Sequence, residues 1–184
     1  MTSQPSKPPT TGDAVMELPQ RLREEIIDLL LPLLDSEGVT LVDCQVAVHK
    51  SGRKIILALD REGGMNVDDY ARWTRYLEDV LAGELPDLGA FRLEVGSPGL
   101  ERILRSELEL SWARGRRVAA KVQPAADSGE TVVGELRDFD PYTLTLQPAA
   151  GPERKLDREE VVQLRLHHEW PKQFRRRDKR SRKR

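Results

Sequence analysis

Residues 91–105 read FRLEVGSPGLERILR, and the stretch divides the chain into two kinds of sequence. Phe91, Leu93 and Val95 alternate with polar residues, the period-two pattern of a strand with one buried face. Ser97-Pro98-Gly99 then forms a corner. Proline presets φ at the second position of a turn, glycine supplies the positive φ that a type II turn needs next, and the residue before proline is held extended. Apolar residues mostly follow a helical period before the corner and a strand period after it.

On the N-terminal side, residues 17–37 are predicted helical. Leu18, Leu22, Ile26, Leu29, Leu30, Leu33 and Leu34 recur at three- and four-residue steps, with Pro32 expected to kink or split the helix near Leu31. Val42, Cys44, Val46 and Val48 alternate, as do Ile55, Leu57 and Leu59, and residues 49–53 between them predict a hairpin. Asn66 is an N-cap candidate, with Asp68 and Asp69 in the first turn where the helix dipole favours them. Tyr70, Trp73, Leu77, Val80 and Leu81 line one helical face, which assigns Trp73 to the core, and Gly83 and Pro86 end the helix. With the strand at 91–95 the order is α-β-β-α-β, a small sheet with helices on one face.

Beyond the corner, residues 106–115 read as a short helical link. From Arg116 the chain reads all-β, with alternation at Val118–Val122, Val132–Leu136, Tyr142–Leu146 and Val162–Leu166. Turn signals fall at 127–129, 140–141 and 150–152. About five short strands in about 55 residues predict a small closed barrel, which removes exposed sheet edges. The fold class is therefore α+β. The expected organisation is a disordered lead-in over 1–16, an α/β domain over 17–105, a linker over 106–115, a barrel over 116–170 and a basic disordered tail over 171–184.

Composition narrows the function classes. The chain has 184 residues, 38% of them hydrophobic, with no apolar run of membrane-spanning length and no apolar segment of a secretory signal at its start. Cys44 is the single cysteine, which excludes disulfide frameworks and cysteine-based zinc sites. These features predict a cytoplasmic protein. A net charge of −1 conceals an asymmetry: residues 172–184 hold nine basic and one acidic residue, a local charge of +8, leaving −9 elsewhere. A block such as RRRDKRSRKR, with Arg175, Arg176 and Arg177, attracts polyanions without reading their sequence.

Candidates for chemistry are thin. Gly96-Ser97-Pro98-Gly99 lacks the spacing of a hydrolase elbow, G-x-S-x-G. Gly96 and Gly99 make a G-x-x-G, the loop with which one RNA-binding fold, the KH domain, grips backbone; here it follows a strand, and it is too short for a Walker loop. The acidic residues around Gly63-Gly64 do not fit the calcium-loop spacing, and His167-His168-Glu169 lacks further ligands. No catalytic residue, metal or cofactor is expected. Trp112 and Trp170 flank the barrel and are expected to pack on it. The positive signal is Arg102, Arg105, Arg114, Arg116 and Arg117, five arginines within 16 residues, opposed by Glu107 and Glu109. On an otherwise acidic body they read as a phosphate-facing strip.

These features together resemble the bacterial RimP family of ribosome maturation factors over roughly residues 18–170. Leu93-Glu94-Val95-Gly96-Ser97-Pro98-Gly99-Leu100-Glu101-Arg102 is similar to that family's E-V-S-S-P-G-L-D-R-P-L signature. Gly64-Met65-Asn66-Val67-Asp68-Asp69-Tyr70 is similar to its G-[IV]-x-[LV]-D-D-C stretch, and Gly38-Val39-Thr40-Leu41-Val42-Asp43 leads into the first strand in the same order. Gly96, Glu101 and Ile103 replace a usual serine, aspartate and proline, which makes the corner less rigid than in relatives. The resemblance implies an SH3-like, Sm-like second domain and non-enzymatic binding to the free small ribosomal subunit during assembly, with rRNA and ribosomal proteins as partners and no membrane. The protein is expected to act as a monomer. On this reading Arg102, Arg105, Arg114, Arg116 and Arg117 contact phosphate, Ser97-Pro98-Gly99 is the interdomain turn, and the tail arginines add affinity. The alternative is a general RNA binder of Sm-like or KH-like type acting on mRNA or small RNAs. A hydrolase using Ser97 or the acidic cluster around Gly63-Gly64 is the further rival.

Overall fold

The computed structural model describes residues 11–50, 52–123 and 129–168. Backbone contacts divide the chain between Pro98 and Gly99, inside the predicted corner, and Gly99 has the positive φ (81°) required of it there.

The first unit has the expected α-β-β-α-β order. Helix α1 (Thr11–Ser36) precedes β1 (Val39–His49) and β2 (Gly52–Arg61), which form an antiparallel hairpin. Helix α2 (Val67–Glu84) and one 3-10 turn (Pro86–Leu88) lead to β3 (Phe91–Gly96), parallel to β2, giving the sheet order β1-β2-β3. Ile55, Leu57 and Leu59 of β2 are at most 1% exposed, and Ile26, Leu30 and Leu34 of α1 and Leu77 and Leu81 of α2 are fully buried. Lys54, Ile56 and Asp60 alternate with them and are half-buried. A bulge between Leu41 and Asp43 turns both Leu41 and Val42 inward.

Two expectations about α1 are corrected. The helix begins at Thr11, within the segment 1–16 read as a lead-in, and runs through Gly12 and Pro19; the lead-in prolines at 5, 8 and 9 all precede it. Nor does Pro32 split it: the helix continues to Ser36. A proline costs one backbone donor and crowds the preceding turn. Burial of Leu30 and Leu34 on either side of Pro32 offsets that cost.

Buried among these side chains is Cys44, whose thiol is pushed up to about 12, mainly by loss of solvation; Arg23 opposes this and Asp43 adds to it. A thiol so held stays protonated and inert at neutral pH.

In the second unit, helix α3 (Glu107–Ala113) precedes β4 (Arg117–Val122), β5 (Glu130–Phe139), β6 (Thr143–Gln147), β7 (Arg154–Asp157) and β8 (Val161–Leu166). The sheet order is β7-β6-β5-β4-β8, every pairing antiparallel. The expected closed barrel is corrected: among the described residues no ladder joins β7 to β8, so the hydrogen-bonded sheet is open. The outer edge of β8 instead takes residues 102–104. Leu104 N–H donates to Leu164 O (2.9 Å), Leu166 N–H donates to Arg102 O (2.8 Å), and Ile103 bridges Arg165. The linker expectation for 106–115 is corrected as well, since Leu110, Trp112 and Ala113 of α3 are buried in this unit. Trp112 packs as expected; Trp170, the tail and the lead-in before Thr11 lie outside the described residues.

At Gly134 of β5 an added Cβ would lie 2.8 Å from the Gln147 carbonyl oxygen and 2.9 Å from its carbon. Both are backbone atoms of a paired strand and yield little. Gly134→Ala should therefore lower stability by about 1–3 kcal/mol in urea unfolding, the usual cost of overpacking, with an unchanged slope.

Candidate nucleic-acid interface

The arginines singled out in the sequence do not form a single free strip. Arg102 is turned into the second unit. Its Nε donates to Glu109 Oε1 at 2.6 Å, with side-chain exposures of 17% for Arg102 and 6% for Glu109. The other carboxylate oxygen accepts from the amides of Arg105 (2.7 Å) and Ser106 (2.9 Å) and from the Ser106 hydroxyl (3.1 Å). Glu109 N–H donates back to Ser106 Oγ, completing a capping box at the start of α3. Burial by itself raises the Glu109 carboxyl, but the Arg105 and Ser106 amides, followed by the Arg102 guanidinium, bring it below the ordinary carboxylate range. The S-x-x-E spacing of Ser106 and Glu109 was the signal for this arrangement.

Other cations lie at the far end of the same helix. Arg116 Nε donates to Trp112 O (3.1 Å), and its guanidinium lies 4.4 Å from the Trp112 ring centre. Arg114 lies 5.2 Å from the Phe139 ring centre and pairs with Asp138 at 2.7 Å. Both residues are exposed and each guanidinium lies over an aromatic ring, a contact that restrains the side chain before any anion binds. Arg117 is half-buried on β4 opposite Glu135. Arg105 exposes its side chain at the N-terminal end of α3. The seven-residue helix separates the two ends by roughly 10 Å. Arg175, Arg176 and Arg177 fall outside the described residues.

Among the described residues no group of three or more His, Cys, Asp or Glu is placed to hold a metal ion. Ser97 directly follows Gly96, which pairs with Ala58, whereas His49 pairs with Gly52 at the opposite end of β2. Six residues of strand put His49 roughly 20 Å from the serine, too far for a nucleophile and its base. No described helix is long and apolar enough to cross a membrane.

Glu109→Ala would remove the carboxylate shared by a mostly buried guanidinium and two amides, so it should cost about 3 kcal/mol in urea unfolding, whereas Arg105→Ala should cost under about 0.5 kcal/mol. The pH dependence follows from the lowered carboxyl. The stabilisation is complete above the unfolded glutamate value of about 4.3 and is lost as pH falls through the folded value. Glu109→Gln should flatten that acid limb in a stability-versus-pH series.

Residues 29–101 match the family model of the RimP N-terminal domain. The match runs from within α1 through the hairpin, α2 and β3 to Glu101, and so includes the Gly-Ser-Pro-Gly corner. The order of elements in the first unit, the capped start of α2 and the corner are the features shared with the signature stretches quoted above. Residues 29–101 are thus a RimP N-terminal domain, which supports membership of the RimP family of ribosome maturation factors.

Proposed function

We propose that this chain assists small-subunit assembly by binding, without chemistry. It would engage the free small ribosomal subunit in the cytoplasm as a monomer, contacting rRNA and ribosomal proteins. The match of residues 29–101 to the RimP N-terminal domain is the observation that carries this reading. The second unit, with its five antiparallel strands and a short buried helix, suits an SH3-like module. Such binding stabilises one conformation of an immature rRNA region and thereby shifts its population.

The arginines divide into two roles. Arg105, Arg114 and Arg116 present exposed guanidiniums and are the phosphate contacts; Arg117, half-buried, contributes at the edge of the same surface. Arg102 supports them indirectly, by fixing the start of α3 through Glu109. The tail arginines Arg175, Arg176 and Arg177 add affinity that carries no sequence information.

Sucrose-gradient sedimentation tests the proposal. The protein should travel with free small subunits; migration with complete ribosomes, or with neither, would reject it. Comparable binding to unrelated single-stranded RNAs would favour a general RNA binder instead. Arg114→Ala/Arg116→Ala should weaken subunit binding several-fold and reduce the salt slope by about one per lost phosphate contact. Arg102→Ala should lower stability while leaving that slope unchanged.

A further inference from the structure

Trp73 is not the core residue that its helical position predicts. It is half-buried and, with Tyr76, Arg61, Arg72 and Glu37, lines an open cleft of about 530 Å³ on the first unit. Tyr76 is 49% exposed, and the two rings meet edge to face, with centres 5.7 Å apart and planes at 70°. An exposed tyrosine braced by a tryptophan is a rigid platform, losing little freedom when a flat ligand lands on it.

The two arginines are positioned by one carboxylate. Arg72 donates to Asp69 Oδ1, and Arg61 lies 3.4 Å from Asp69 Oδ2, which also accepts the Asn66 amide at 3.0 Å. The Asn66 amide is the main reason why the Asp69 carboxyl is held below its ordinary value; burial opposes it, and Arg61 and Arg72 assist. Each guanidinium carries five N–H donors, more than one shared carboxylate can accept from both. The side chains of Arg72 and Arg61 are 69% and 37% exposed. Each guanidinium therefore keeps donors beyond those that Asp69 accepts, on a partly exposed side chain that lines the cleft with the two rings.

We propose that this cleft binds one unpaired nucleotide of a single-stranded RNA segment, with its base on Tyr76 and its phosphate on Arg61 and Arg72. The proposal rests on the ribosome-binding reading above and extends it to the first unit. Aromatic faces beside guanidiniums are how proteins take splayed-out bases. Glu37 suits an exocyclic amino group and repels phosphate, so the cleft takes a base and a single phosphate and not a run of backbone. Asp60, Glu62 and Asp68 lie close in sequence to the lining residues, and long-range attraction of RNA to this face is correspondingly weak. The contact is short-range and should show a shallow salt dependence.

Full-length protein titrated with a labelled oligocytidine octamer, read by fluorescence anisotropy and by Trp73 emission as the difference from Trp73→Phe, tests this. Tyr76→Ala should weaken octamer binding by about 5–100-fold, the range for losing one stacked base, and Tyr76→Phe should retain it. Arg72→Ala should weaken it several-fold and lower the salt slope by about one. The octamer should quench Trp73 emission in the parent protein and fail to do so in Tyr76→Ala. Unchanged octamer affinity in both alanine variants, or no quenching, overturns the inference. If the variants lose small-subunit binding but keep octamer binding, the cleft takes a protein side chain and the inference is again overturned. Small-subunit sedimentation of the parent protein separates the two proposals: if it fails while the octamer results hold, the ribosome reading falls and the cleft stands.

Discussion

The second unit depends on the Glu109 carboxylate having enough donors. Moving a charged carboxylate out of water is expensive, and here two amides, a hydroxyl and a guanidinium repay it together. That concentration of donors fixes three things at once. It caps α3, it brings Arg102 inside, and it holds the segment whose backbone continues the sheet beside β8. With α3 fixed, Arg114 and Arg116 at its far end acquire defined positions against Phe139 and Trp112. The exposed cations proposed as contacts are thus oriented by one that is turned inward.

Much of the first unit was legible because its elements are long and periodic. The leucine spacing of α1, the Asn66 cap of α2 and the alternation in β2 and β3 are local signals, and local signals survive folding unchanged. The hidden parts depended on partners distant in sequence. Strand β7, Arg154–Asp157, carries one buried residue, Leu156, among charged ones, and only its pairing with β6 makes it a strand. Continuity of α1 through Pro32 reflects burial of the surrounding leucines, which outweighs propensity.

The candidate surface was legible as a cluster and illegible as a geometry. Five arginines in 16 residues announce positive charge, but not which guanidinium meets a carboxylate seven residues away. The S-x-x-E motif at Ser106 would have separated Arg102 from the rest. Trp73 shows the converse problem. A helical wheel places it beside Leu77, yet the buried face of α2 is narrow, and Trp73 falls at its border, where one side of the ring stays open to solvent. Border positions are where aromatic residues become available to ligands.

The pairing of residues 102–104 with β8 joins the first stretch of the second unit to its last strand. A chain emerging from a ribosome releases its N-terminal residues first. The first unit has all of its strands by Gly96 and is free to consolidate early. The second must wait for residues 161–166, because residues 102–104, which lead into α3, pair with them. The surface proposed to hold rRNA is therefore among the last parts of the molecule to mature during its own synthesis.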